Sequence, residues 1–147
     1  MKNKRCYFLL WLISVSFVVL SVFSAWAGGM ERCMVCGMDV SKYPHTRYMV
    51  ETTDGKRYTT CGVQCGLTLH LRFKDKWKSA KATDLLSNRS FDVKEGSYVY
   101  KSGVITDMAP GFIAFKTRVD AEKFAKGFGG KVVTYEEALE MWKETMK

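Results

Sequence analysis

The chain has 147 residues, with 23 Lys and Arg against 15 Asp and Glu and a formal charge of +8. That excess is spread thinly, and its densest run, Arg72 to Lys81, reads as a solvated helix end and loop, which argues against a nucleic-acid partner. A hydrophobic share of 47% over this length supports a modest core but no large multidomain enzyme.

In chain order, Lys2, Lys4 and Arg5 precede an apolar run from Tyr7 to Phe23, and Ala25-Trp26-Ala27 follows as a small-x-small site. This is the pattern of a cleaved secretory signal peptide over residues 1–27, which places the mature protein in the periplasm. An uncleaved leader would instead tether the chain, since about 17 apolar residues can just cross a bilayer. The leader carries away Cys6. The other four cysteines lie between residues 33 and 65. The mature part, 28–147, divides into a cysteine-bearing unit, 28–86, and a scaffold unit, 87–147.

Cys33 to Met38 reads as a knuckle, because Gly37 offers the backbone freedom that a tight sulfur turn needs. A loop with Pro44 follows. Arg47–Thr52 and Lys56–Thr60 are expected to form a hairpin around Asp54-Gly55, a strong hairpin signal. From Gly62 to Lys74 the pattern becomes helical, with Cys65, Leu69 and Phe73 four apart. A strand is expected over Lys78–Leu86 and an extended piece after the Asn88–Phe91 turn.

In the second half, Ser97–Lys101 and Phe112–Phe115 read as strands joined by a Gly/Pro loop that carries Met108. Thr117 caps a helix whose apolar positions are Ala121, Phe124, Ala125 and Phe128, and Gly129-Gly130 stops it. Lys131–Val133 is a strand. Thr134 and Glu137 form a capping box for a last helix that buries Tyr135, Ala138, Leu139 and Trp142. The chain is therefore expected to be α+β, with two ββαβ-like units of small antiparallel sheets and packed helices.

The chemistry lies in Cys33-x-x-Cys36-Gly-Met38 and Cys61-x-x-x-Cys65. In an oxidising compartment four cysteines can pair as two disulfides. Cys61 and Cys65, one helical turn apart, are separated by roughly 5–6 Å at Cβ, too far for a relaxed bridge of about 3.8 Å. The same spacing suits a metal with bonds of about 2.3 Å to each sulfur. Cross-pairing of the knuckle with the helix cysteines remains open. Cys61, at a helix start, is expected to have a depressed pKa.

Met38 weighs on the choice of metal, since Cu(I) accepts thiolate and thioether together whereas Zn(II) sites use thiolate, imidazole and carboxylate. Met108 joins the candidates from its loop, as do His45 and, less so, His70, which faces another side of the helix. Met34 is expected to point outward and Met49 into the core. Asp84, Asp92 and Asp107 read as solvated turn caps. No Ser-His-Asp order, carboxylate pair or phosphate loop stands out, so no enzyme is expected.

Three segments together, Cys33-Met-Val-Cys-Gly-Met38, Asp54-Gly-Lys-Arg-Tyr58 and Phe124 to Glu137 with its Gly-Gly-Lys-Val core, resemble the NosL family over residues 33–142. The resemblance implies an exported Cu(I)-binding accessory protein of nitrous oxide reductase or a relative, with a fold related in shape to organomercurial lyase. It maps Cys36 and Met38 onto the family's Cys-Gly-Met, and Met108 onto a family methionine whose following glycine is Ala109 here. Typical members are lipoproteins, and this chain lacks the lipobox. The Cys61-x-x-x-Cys65 pair further resembles treble-clef metal-sensing modules.

The expected function is thus a copper chaperone or accessory factor for metalloenzyme assembly. Its metal ligands are Cys33, Cys36, Met38, Cys61, Cys65 and Met108, and its partner is a copper-receiving protein or membrane assembly complex. The alternatives are a structural zinc-binding interaction module and a thiol redox protein. Carbon–mercury cleavage would need a carboxylate among the thiols, for which Asp39 is the nearby candidate.

Overall fold

The structure is a computed structural model that describes residues 31–109 and 111–147. The leader read over residues 1–27 lies outside them. Among the described residues no helix is long and apolar enough to cross a membrane.

The first layer grows from the expected hairpin. Strands β1 (Tyr48–Thr52) and β2 (Arg57–Thr60) pair antiparallel. Gly55 turns the chain with φ +81°, and its N–H donates to the Thr52 carbonyl at 2.9 Å. Helix α1 (Val63–Phe73) then carries the chain over to β3 (Trp77–Thr83), which pairs with the other side of β1. Strand β4 (Ser90–Asp92) completes an antiparallel sheet of order β2-β1-β3-β4. The register sets Tyr48 beside Ala82 and Val50 beside Ala80, all buried on one face.

Small residues on β3 let α1 lie close to this face. A Cβ on Gly66 would sit 2.2 Å from Cδ1 of the Tyr48 ring, so only glycine fits there.

The second layer has strands β5 (Ser97–Tyr100), β6 (Phe112–Phe115) and β7 (Lys131–Val133) in the order β6-β5-β7, all antiparallel. Its alternating side chains serve two cores. Tyr98, Phe112, Ala114 and Val133 join the main core with β1, β3 and α1. Val99, Ile113 and Phe115 turn the other way and are covered by Ala121 and Phe124 of α2 (Arg118–Phe128). A strand buried on both faces reads as an unbroken apolar run, which is why Phe-Ile-Ala-Phe does not alternate. Helix α3 (Tyr135–Thr145) begins with the expected capping box and adds Tyr135 and Ala138 to the main core.

Two ββαβ units, β1-β2-α1-β3 and β5-β6-α2-β7, are therefore present in an α+β fold. Helix α1 lies between them. It meets β1 and β2 on one side and β6 and α3 on another, and every residue from Val63 to His70 is buried. Wholly buried Leu67 and Leu69 each contribute about 1.5–3 kcal/mol by leaving water.

Three local expectations differ. The strand expected to reach Leu86 stops at Thr83, because Asp84 accepts from both the N–H and the hydroxyl of Ser87 and turns the chain. Leu86 is left 62% exposed. Phe128 shares the period of the α2 stripe but lies in its last turn, past the sheet, and is exposed. Met49 is only half-buried, because it occupies the outer face of β1, between Thr59 and Lys81.

Candidate metal centre

Two elements bring the sulfurs together. The knuckle closes on itself: the Cys33 N–H donates to the Met38 carbonyl at 2.8 Å, and the Gly37 N–H to the Cys33 carbonyl at 2.7 Å. Gly37 has φ +77°, the left-handed conformation that other residues resist. The backbones of Arg32 and Asp39 form an isolated antiparallel β-bridge beyond it, and Val40 is buried beneath. The second element is the end of β2 running into α1. Thr46 Oγ1 donates to the Cys61 carbonyl at 2.6 Å and Thr60 Oγ1 to the Gly62 carbonyl at 3.0 Å. These bonds fix the approach to Gly62, the extended N-cap of α1.

The four sulfurs of Cys33, Cys36, Cys61 and Cys65 all lie within 4.8 Å of one another. Cys36 and Cys61 are 3.4 Å apart and Cys61 and Cys65 3.8 Å. A tetrahedron with metal–sulfur bonds of about 2.3 Å has edges of about 3.8 Å, so these two spacings match its edges and the four sulfurs together could close on one metal. All four cysteines are free thiols. Cys33, Cys61 and Cys65 are buried, whereas Cys36 is exposed.

Met38 and Met108, both half-buried, pack against the cluster, as do Val35 and Tyr43. Met34 is 54% exposed and points away, as expected. His45 is exposed on the loop after the knuckle. His70 belongs to the main core, where its Nε2 lies 2.9 Å from the Tyr48 hydroxyl and its ring stands edge-on to Trp77.

The electrostatics correct the expectation for Cys61. Its pKa is raised, first by burial and then by its neighbouring thiols. Gly62, not Cys61, is the N-cap, so the Cys61 sulfur lies outside the helix's first turn and gains little from its dipole. Burial likewise raises Cys65. At Cys33 burial also opposes ionisation, but hydrogen bonds from the backbone at Cys36, Cys61 and Val35 outweigh it and hold the thiol at about 7. Four sulfurs this close cannot all be anionic without a cation. Burial thus keeps Cys61 and Cys65 protonated in the metal-free cluster, and a soft cation would displace those protons.

Two polar residues at the site are not distinguished by the sequence pattern. Asp107, read as a solvated turn residue, has its carboxyl directed at Gly62, where a Cβ would meet Oδ2 at 1.8 Å. Oδ2 is buried without a partner, while Oδ1 accepts from Thr106 at 2.9 Å. Burial raises its pKa. Asp39 instead caps a 3-10 turn by accepting from the N–H and hydroxyl of Ser41, which together hold its pKa down. Gln64 is wholly buried, and its Nε2 donates to the Met108 carbonyl at 3.1 Å. The only sequence hints of these contacts are the glycines that admit them, Gly62 and Gly111, and a glycine does not say what approaches it.

The NosL family model matches residues 27–142. The chain belongs to the NosL family. Among solved structures, it is similar to the crystal structure of the copper chaperone NosL from Shewanella denitrificans. The identity is 21% and the TM-score 0.67, with 76% of this chain and 93% of that one covered. No curated protein matches the chain. The NosL likeness to that structure is one of fold. The knuckle, the start of α1 and the Met108 loop are thus presented by a NosL scaffold.

Proposed function

We propose that this NosL-family chain is an exported Cu(I)-binding protein that carries copper to a recipient protein or membrane assembly complex during metalloenzyme maturation. One observation carries this reading: a soft, sulfur-only cluster of four thiols with the thioethers of Met38 and Met108 packed against it. Thioethers are ligands that Cu(I) accepts and Zn(II) sites do not use. The copper chaperone among solved structures of this fold supports the same choice.

The cluster's shape suggests how the cargo would be handled. Cys33, Cys61 and Cys65 lie inside, and Cys36 alone among the thiols faces solvent. A recipient's sulfur would therefore meet the metal on the Cys36 side, adding before the inner thiols let go. Cys33, whose backbone hydrogen bonds hold its thiol at about 7, supplies an anionic ligand. The proposed set is Cys33, Cys36, Met38, Cys61, Cys65 and Met108, held on the mature chain 28–147 after removal of residues 1–27.

The test is anaerobic Cu(I) competition against a chromophoric chelator. Cys36→Ser and Met38→Leu are each expected to weaken binding by about tenfold or more, and affinities equal to wild type in both would defeat the proposal. A second reading rests on the near-tetrahedral sulfur spacing, which also suits a structural Zn(II). Tightly held zinc in protein isolated from the periplasm, indifferent to Met38→Leu, would favour it.

A further inference from the structure

We propose that Gln64 is a positioning residue that sets the thioether of Met108 against the thiol cluster. The inference rests on Met108 being a copper ligand. Gln64 lies in the first turn of α1, between Cys61 and Cys65 in sequence, and is 0% exposed. A buried side-chain amide is costly unless its hydrogen bonds are used. Its oxygen is buried without a partner, so the one bond this side chain makes across the fold is that of its amide N–H to the backbone carbonyl of Met108, 44 residues on.

Two glycines make this contact feasible. A Cβ at Gly111 would lie 2.4 Å from Gln64 Nε2 and 2.4 Å from the Met108 carbonyl, wedging the pair apart. At Gly62 a Cβ would collide with the Asp107 carboxyl. Asp107 and Met108 thus rest directly on the same helix start that presents Cys61 and Cys65. The ligand loop and two of the thiols share one rigid reference.

A thioether needs such help more than a thiolate does. It is neutral, so no long-range attraction returns it to the metal once displaced, and its contribution depends on where the backbone holds it. A cavity of about 310 Å³ opens beside Met108, lined by Lys101, Ser102, Val104 and Thr106. It gives the side chain somewhere to go. Without the Gln64 bond the thioether swings into it, and the cluster binds copper with thiols alone.

The experiment compares Met108→Leu, Gln64→Leu and the double variant in the full protein, by anaerobic Cu(I) competition and by X-ray absorption of the loaded protein. Gln64→Leu is expected to lose about 10–100-fold in Cu(I) affinity, the usual size of an outer-shell effect on a metal site, and Met108→Leu, which removes the ligand itself, at least as much. The double variant is expected to lose no more than the worse single. The sulfur count around copper falls by one in all three, while the near-ultraviolet thiolate-to-copper absorption persists. A merely structural role would dim that absorption as well. Gly111→Ala disrupts the same contact from the other side and should reproduce the loss, which keeps the test open if Gln64→Leu folds poorly.

Wild-type affinity and sulfur count in both Gln64→Leu and Gly111→Ala, with Met108→Leu weakened, would overturn this inference alone. Additive losses in the double variant would overturn it too, since Gln64 would then act apart from Met108. Met108→Leu without effect would remove the thioether assignment and this inference together, leaving the thiols to be judged by Cys36→Ser.

Discussion

His70 shows how far a single buried side chain can couple this fold to pH. It is 97% shielded, between Tyr48, Trp77 and Tyr135, and burial, reinforced by the charge of Lys94, lowers its pKa from 6.5 to about 4. Between those values the unfolded chain holds a proton on His70 and the folded protein does not. Protons then favour unfolding. The stability that comes from keeping His70 neutral is complete above about pH 7 and is lost progressively from pH 6.5 down towards 4, a loss on the order of 3 kcal/mol. Urea melts at pH 7.0, 5.5 and 4.5 should show this decline, and His70→Gln, which cannot titrate, should flatten it. A variant whose stability falls as steeply as wild type over that window would show that other groups govern it.

Elements differ in how plainly the sequence announces them, and the difference is one of contact range. The hairpin, both caps of the second half and the start of α3 follow from residues a few positions apart, and each appears where its local signal stands. Thr134 and Glu137 bond reciprocally, Glu137 N–H to Thr134 Oγ1 at 3.3 Å and Thr134 N–H to the Glu137 carboxylate at 2.8 Å. Thr134→Ala should therefore cost about 1 kcal/mol, read as a lower urea midpoint with unchanged slope. No loss of midpoint would mean the tertiary packing of Tyr135 and Ala138 alone starts the helix. The candidate metal centre is legible in the same local way where it depends on Cys-x-x-Cys-Gly and on Cys-x-x-x-Cys. Its polar frame is not. Gln64 sits on a helix whose period suggests one apolar face, and only the arrival of β6 and α3 on another side explains why it is buried. Asp107 lies 45 residues from the glycine it faces, a distance that no spacing rule spans.

At the scale of the whole molecule, the cluster joins two parts of unequal cohesion. The main core runs through both sheets, α1 and α3, and the buried knuckle residue Cys33 is not among its members. Residues 31–46 touch that core through half-buried Val35 and are otherwise held by a small group around Cys33, Val40, Cys61 and Cys65, together with the Thr46–Cys61 bond and a long Arg47 contact to the Val40 carbonyl at 3.4 Å. Few apolar contacts mean a low free energy of local opening. The metal-free knuckle should thus open without disturbing β5 or β6. Copper bound across knuckle and helix start would oppose that opening by RT ln(1 + [L]/Kd), about 4 kcal/mol at a thousandfold excess over Kd. The amides of Cys33 and Gly37, bonded within the knuckle, and of Val40, bonded to the Glu31 carbonyl beside it, report it directly. Without metal their hydrogen exchange should run well ahead of that of Val99. With Cu(I) it should slow by up to about 1,000-fold, while the fraying end of α2 at Gly129, which can open with the cluster intact, exchanges as before. Knuckle amides already as protected as Val99 in the metal-free protein would make the knuckle part of the global folding unit. The metal would then act on a preformed site.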